Sequence, residues 1–188
     1  MAISQVRETL ADLLRSKEKA ELIGGRVVPL MPTGSWPSEV AGNIFAQLMA
    51  HCRITKRGKA FADNTGYTVA ELSSGRESFS PDVSCFGGSL PSKSMKFIDG
   101  PPTFAVEVRS QEDAGSSAEA EMAAKRADYF EAGTRIVWDV DPRSETVFVY
   151  RSASEEPVQT FQRGDIATAE PAVLGWSMSV DDIFREQN

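Results

Sequence analysis

The chain has 188 residues, of which 41% are hydrophobic and 25% charged, a composition typical of a single globular domain spanning residues 1–188 that folds without disulfides or a structural metal. Twenty basic residues and twenty-seven acidic ones give a formal net charge of −7, which disfavours extensive, sequence-independent binding to the phosphate backbone of a nucleic acid. The sequence lacks both a secretion signal and an apolar run of roughly eighteen residues, so it predicts a cytoplasmic protein with no membrane partner.

The first predicted elements are a surface helix and a β-hairpin, which together form an N-terminal part of residues 1–32. Residues 4–20 carry apolar side chains at helical spacing. The following segment, AELIGGRVVPLMP, predicts two short strands around the Gly24-Gly25 turn.

A long amphipathic helix is predicted next, and it opens a core of about residues 36–151. Apolar residues recur at four-residue steps along SEVAGNIFAQLMAHC, with Ser38 as the predicted N-cap and Glu39 in the first turn. Residues 51–59 follow with four cations, which indicate either a solvated helix end or a contact for nucleic acid.

Carboxylates interrupt two of the three strands predicted after this helix. Gly, Pro and Ser clusters and a polar loop over residues 87–102 separate the three candidates, which are residues 65–72, 78–86 and 103–109. Asp82 lies in the second candidate and Glu107 in the third, where Glu107 shares one face of the strand with Arg109.

The next predicted helix, AEAEMAAKRADYFEAG, ends at Gly133, a residue suited to a left-handed cap. Lys125 lies at the edge of its apolar stripe, where its side chain can face the element against which the stripe packs. Arg126 is the alternative for that role, because helical periodicity does not decide between the two residues. A hairpin, IVWDVDP with ETVFVYR, a weak strand over residues 158–161 and a short helix, VDDIFRE, complete the chain. The order of elements predicts an α/β (α+β) fold with a mixed β-sheet flanked by helices.

Asp82 and Glu107 are the candidate functional residues. Buried carboxylates are costly unless they are paired or bind a metal, so two of them on neighbouring strands suggest a divalent-cation site. Mg²⁺ prefers a few oxygen ligands together with waters and substrate phosphate, and a nearby Lys125 could orient the attacking water. Paired structural carboxylates and solvent-facing edge residues remain alternatives at this point.

Several motifs together resemble the Uma-two family of restriction-endonuclease-like proteins, within the PD-(D/E)XK nuclease superfamily. They are Pro81-Asp82, Glu107-Val108-Arg109-Ser110, Lys125 three residues before Asp128-Tyr129, IVWDVDP, the opening ELIGGRVVPLMP and the closing LGWSMSVDDIF. Their order and spacing cover nearly the whole chain.

The resemblance implies a metal-dependent endonuclease that uses Mg²⁺, with Mn²⁺ as a substitute, and that acts on nucleic acid, DNA in the first instance. A possible homodimer follows only from how common symmetric dimers are and from the convenience of cutting both strands of a duplex. The resemblance also implies that Asp82 and Glu107 bind the metal and that Lys125 is the catalytic lysine, displaced from strand to helix. Arg109 occupies the usual lysine position, where it could bind phosphate but makes a poor base. Gln111 is a further candidate for substrate binding.

Some assignments stay open. Glu39 is either an additional metal ligand or a carboxylate facing the helix dipole. Tyr129 and Trp138 are interpreted as core residues, and Asp139 and Asp141 as turn residues of the hairpin. The principal alternative function is a catalytically inactive nuclease fold that serves as a binding or regulatory module, and a small-molecule metal-dependent hydrolase is a third possibility.

Overall fold

The computed structural model describes residues 6–111, 113, 115–154 and 156–187. Its helices are α1 Leu10–Leu13, α2 Ser35–Thr55, α3 Ser116–Ala132 and α4 Val180–Ile183. Its strands are β1 Ala20–Ile23, β2 Arg26–Pro29, β3 Lys59–Ala62, β4 Tyr67–Thr68, β5 Ser78–Phe79, β6 Val83–Phe86, β7 Ile98–Asp99, β8 Phe104–Val108, β9 Ile136–Asp141, β10 Thr146–Tyr150, β11 Gln159–Phe161, β12 Ile166–Thr168 and β13 Ser177–Ser179.

A six-stranded mixed sheet, in the order β11-β10-β9-β8-β6-β3, forms the centre of the fold. Strands β8 and β9 are parallel and the other neighbours are antiparallel. Alternate side chains of β8 point to opposite faces, so Val106 joins the core that includes α2 while Ala105 joins the core that includes α3. The predicted α+β class is therefore confirmed, and Glu107 lies on the α3 face.

Several predicted elements are confirmed by the structure. They are the β1–β2 hairpin around Gly24-Gly25, strand β8, helix α3, the β9–β10 hairpin, strand β11 and helix α4. Helix α3 ends at Gly133, whose φ of 109° lies in the left-handed region that a residue with a Cβ rarely adopts. Among the described residues, no helix is long and apolar enough to cross a membrane.

The predicted first helix is wrong over most of its length. Only Leu10–Leu13 are helical, and the predicted residues 4 and 5 lie outside the described residues. Thr9 starts the helix through a reciprocal contact with Asp12. Ser16 then binds the backbone of Glu18, and this local bonding competes with a continued helix before β1 begins.

Helix α2 begins earlier than the sequence predicts, so the assignment of Ser38 as its N-cap is wrong. Gly34 is the N-cap, and Pro37 lies within the first turn, where its missing N–H has no helical partner to lose. Glu39 consequently lies beyond the first turn of the helix.

The remaining corrections concern short strands. The candidate over residues 78–86 divides into β5 and β6 because Pro81, between them, cannot donate to a sheet ladder. The candidate over residues 65–72 is strand only in β4, which pairs with β5 and, in parallel, with β7, a strand in the predicted loop. Strands β3, β12 and β13 carry too short a pattern for the sequence to predict them.

Candidate active site

Asp82 is held beside the end of β8. It follows Pro81 directly, and its N–H donates to the carbonyl of Val106 at 3.1 Å. Its Oδ2 accepts the N–H of Val108 at 2.8 Å, and Lys19 Nζ lies 3.7 Å from Oδ1. Asp82 therefore caps the strand with one oxygen and leaves the other turned toward a cation.

Glu107 receives two side chains from α3. Lys125 Nζ lies 2.9 Å from Glu107 Oε1, and the Tyr129 hydroxyl donates to the same oxygen at 2.6 Å. The two α3 residues are four positions apart and so share one face of the helix. Tyr129 is fully buried, as its assignment to the core predicts, but it also holds a site carboxylate.

Glu21 is a third carboxylate at this site, and the sequence analysis missed it. It is 2% exposed, accepts the N–H of Ser80 at 2.8 Å and pairs with Arg76. Lys125 Nζ lies 3.4 Å from Glu21 Oε1, so the ammonium group bridges Glu21 and Glu107. A charge between the apolar residues of β1 was the available signal, the same one that marked Glu107.

Two adjoining cavities surround these carboxylates. One of about 300 Å³ is lined by Glu21, Glu107 and Lys125. The other, of about 180 Å³, is lined by Asp82 and by the first turns of α2. Val108 lines both, so the two predicted carboxylates lie on either side of the end of β8.

The carboxylates at the site differ in their electrostatic state. Burial raises the pKa of Glu107 to about 7, with Lys125 opposing the rise and Asp82 adding to it. Burial also raises the pKa of Asp82 above its ordinary value. Glu21 is as deeply buried, yet Lys125 and Arg76 outweigh that burial and hold its pKa below the ordinary value.

Lys125 remains an ammonium ion at neutral pH. Burial acts to lower its pKa, but the charges of Glu107 and Glu21 outweigh that effect and place the pKa above its ordinary value. Lys125 is therefore suited to bind or neutralise an anion and not to remove a proton.

A second group of charges, the arginine cluster, comprises Arg109, Arg126, Asp139 and Glu119. Arg109 donates to both oxygens of Asp139 at 2.7 Å, and Arg126 Nη1 donates to Asp139 Oδ2 at 2.8 Å. Glu119 pairs with both arginines, at 2.8 Å from Arg109 and 3.1 Å from Arg126. All three cations considered from the sequence line the Glu107 cavity, and Lys125 is the one of them that contacts a predicted carboxylate in the described structure.

Asp139 corrects a sequence interpretation. It was assigned to turn chemistry, but its side chain is fully buried, and burial raises its pKa while the guanidiniums oppose the rise. The turn assignment holds for Asp141, which accepts the N–H of Arg143 and the hydroxyl of Ser144. Trp138 is a core residue, as predicted.

Of the other candidate residues, Glu39 and Gln111 make their contacts apart from Glu107. Glu39 binds the backbone N–H of Gln187, whereas Ser38 lines the Asp82 cavity from the neighbouring face of α2. The side chain of Gln111 is exposed and its carbonyl accepts a hydrogen bond from Arg143. Asp113 accepts the N–H of Ser110 and lines the Glu107 cavity. Glu112 lies outside the described residues.

Metal coordination by this chain alone is limited. Over residues 6–111, 113, 115–154 and 156–187, no three His, Cys, Asp or Glu side chains are grouped closely enough to hold an ion. Asp82 and Glu107 could supply two oxygen ligands, a number that suits Mg²⁺ when waters and substrate complete its shell.

Comparisons with known proteins point to one family. A family model described as "Uma2: Putative restriction endonuclease" matches residues 7–181. A similar solved structure is that of a putative nuclease belonging to DUF820 from Anabaena variabilis, with a TM-score of 0.70 and 22% sequence identity, covering 94% of this chain and 97% of that one. No curated protein matches the chain. The structural similarity establishes a nuclease-like fold.

Proposed function

The chain belongs to the Uma2 family, and on that premise we propose that it is a Mg²⁺-dependent endonuclease that hydrolyses phosphodiester bonds of DNA. The observation that carries the proposal is the contact of Lys125 with Glu107, 2.9 Å apart, beside Asp82. Two carboxylates and a lysine at the end of a strand provide the charges that phosphoryl transfer requires.

The residues present fit a divalent cation. The contacts from Lys125 and Tyr129 both fall on Oε1 of Glu107, which leaves Oε2 for an ion. The Val108 N–H occupies Oδ2 of Asp82, which leaves Oδ1. Mg²⁺ binds through one or two carboxylates together with waters and substrate phosphates, so these two oxygens are a sufficient protein contribution.

Each residue then has a distinct task. Bound Mg²⁺ would neutralise phosphate charge and promote deprotonation of the attacking water. Glu107 gives up its own proton as the pH rises through about 7 and becomes a ligand. Lys125, protonated, donates hydrogen bonds to a phosphate oxygen and offsets the charge that develops on it.

A non-catalytic binding module is the second candidate function. The observation that favours it is the state of Arg109, which stands where the lysine of the strand motif is expected and donates to Asp139 through Nε and Nη2. A site in which Arg109 is already bound to Asp139 could bind nucleic acid without cleaving it.

Plasmid cleavage distinguishes the two candidates. The wild type should nick supercoiled DNA with Mg²⁺ and not with EDTA, and Lys125→Met should lower the rate about 10²-fold or more because a transition-state charge loses its partner. Lys17→Met, at an exposed lysine, is the matched control and should cleave as the wild type does. Cleavage that persists in EDTA or in Lys125→Met would contradict the proposal, and Mn²⁺ binding without cleavage would favour the binding module.

A homodimer would place two such sites on opposite strands of a duplex. Cutting both strands makes a symmetric dimer convenient, and this part of the proposal is tested by measuring mass in solution.

A further inference from the structure

A group of exposed cations, the basic patch, lies at the far end of α2 from Asp82. Its members come from the end of α2, the segment after it, β3 and the start of β9: Arg53, Lys56, Arg57, Lys59 and Arg135. Within the part of the chain that the structure describes, no ion pair joins any of them to a carboxylate, whereas nine other lysines and arginines form such pairs. Single cations elsewhere among the described residues also lack such a pair, but the patch gathers five of them at one end of α2 in a protein of net charge −7.

Local structure accounts for only part of this patch. Cations near the end of α2 stabilise its negative terminus, and Lys59 on the edge strand β3 discourages edge pairing. Arg135 has neither role, because it precedes β9 and comes from a distant part of the sequence. Its presence beside Arg57 therefore requires another explanation.

Arg57 and Arg135 line one cavity of about 540 Å³. His51 also lines it and binds the carbonyl of Leu174 through Nε2 at 3.1 Å. Glu170, next to a lining proline, has its carboxylate bound to the N–H of Gly175. The cavity suits a phosphate group.

The outer face of α2 joins this patch to the candidate active site. Gly42, Ala46 and Ala50 are exposed at four-residue steps, and Glu39 is the one acidic residue in the helix sequence. His51, which lines the cavity with Arg57 and Arg135, comes thirteen residues after Ser38 in the Asp82 cavity, which corresponds to about 20 Å of helix, or about six base pairs of duplex. A small, uncharged surface of this length allows a duplex to lie close.

From these observations we infer that the substrate duplex lies along the outer face of α2 and that the basic patch binds its phosphates about six base pairs from the cleavage site. The identity of the ligand rests on the proposed function. The patch supplies the local positive charge that binds DNA, whereas the net negative charge of the chain repels it.

The test is DNA binding by fluorescence anisotropy in EDTA, in a Glu107→Gln background that separates binding from cleavage. The variant Arg57→Gln/Arg135→Gln should bind a duplex of about 24 base pairs about tenfold more weakly and lower the salt slope of log K by about 2, since two phosphate contacts are lost. Both arginines are exposed, so thermal unfolding should not change.

The matched control is Arg15→Gln/Arg185→Gln, which removes the same charge from exposed positions elsewhere. Equal weakening by the control, or none by the patch variant, would overturn the inference. Inorganic phosphate that binds through Arg57 and Arg135 while duplex affinity is unchanged would also overturn it, in favour of a small-anion site. A parent protein that does not bind the duplex overturns it too, whereas patch-dependent binding without cleavage supports it and rejects the proposed function.

Discussion

Two groups of buried charges lie beside α3, and they are balanced differently. The arginine cluster matches two arginines with Asp139 and Glu119. The carboxylate cluster, defined as Glu21, Asp82 and Glu107 with Lys125, has three carboxylates for one lysine. Its other cations are shared, because Arg76 also binds Asp128 and Lys19 also binds Asp63.

The difference separates a structural group from a chemical one. Asp139 is bound by two guanidiniums on both oxygens and needs no further cation. Glu107 keeps one oxygen outside its protein contacts and has a pKa of about 7. The pKa of Asp139 is raised as well, so the distinguishing features are the excess of carboxylates over cations and the free oxygen of Glu107, which indicate a site that gains most from binding a cation.

The largest expected effect is the loss of cleavage when Glu107, in the carboxylate cluster, is replaced. Glu107→Gln should lower Mg²⁺-dependent cleavage about 10³-fold, because a ligand charge is lost while the shape is kept. Initial rates of plasmid nicking measure it, with Glu119→Gln in the arginine cluster as the matched control. Equal losses in both variants would mean that the two clusters do not differ in function.

The complementary change is Asp139→Asn. It should lower the free energy of unfolding by about 3 kcal/mol, since two buried guanidiniums lose their counter-charge. Urea denaturation measures this loss, and the folded fraction should retain cleavage. A stable but inactive Asp139→Asn protein would place the arginine cluster in the active site.

A third prediction concerns pH in the metal-free protein. Because burial raises the pKa of Glu107 from 4.5 to about 7, the unfolded chain releases this proton first, and stability falls as the pH rises between those values. The loss should be about 3 kcal/mol in EDTA and should be nearly absent in Glu107→Gln. A pH-independent wild type would contradict the raised pKa.

The smallest effect is expected at Tyr129. Its hydroxyl donates to Glu107 and so opposes the rise of that pKa. Tyr129→Phe keeps the ring stacked on Phe79 and should raise the pH midpoint of Mn²⁺ binding by about one unit. The binding curve against pH measures this shift, and an unchanged midpoint would show that the hydroxyl does not tune Glu107.

The sequence predicts the local part of this site. Asp82 and Glu107 interrupt apolar strands, and the period of the following helix puts Lys125 at the edge of its apolar stripe. The partner of Arg109 depends on the register of β8 with β9, which sets Glu107 opposite Asp139. Local periodicity does not predict the register between two strands that are about thirty residues apart in the sequence.

Glu21 shows the same limit over a longer separation. Its strand reaches the site because Arg76 and Ser80, more than fifty residues away, bind its carboxylate. The first helix fails for a smaller reason, since the bonds of Ser16 outweigh the apolar spacing. Local patterns thus give candidate residues, and tertiary contacts decide which of them meet.

Calorimetric titration of Mn²⁺ into the wild type and into Asp82→Asn at pH 8 tests the central claim most directly, because it examines the site before any substrate is chosen. The account predicts binding to the wild type and none to the variant. Equal binding to both proteins, or none to the wild type, would contradict the claim that Asp82 and Glu107 form a metal site.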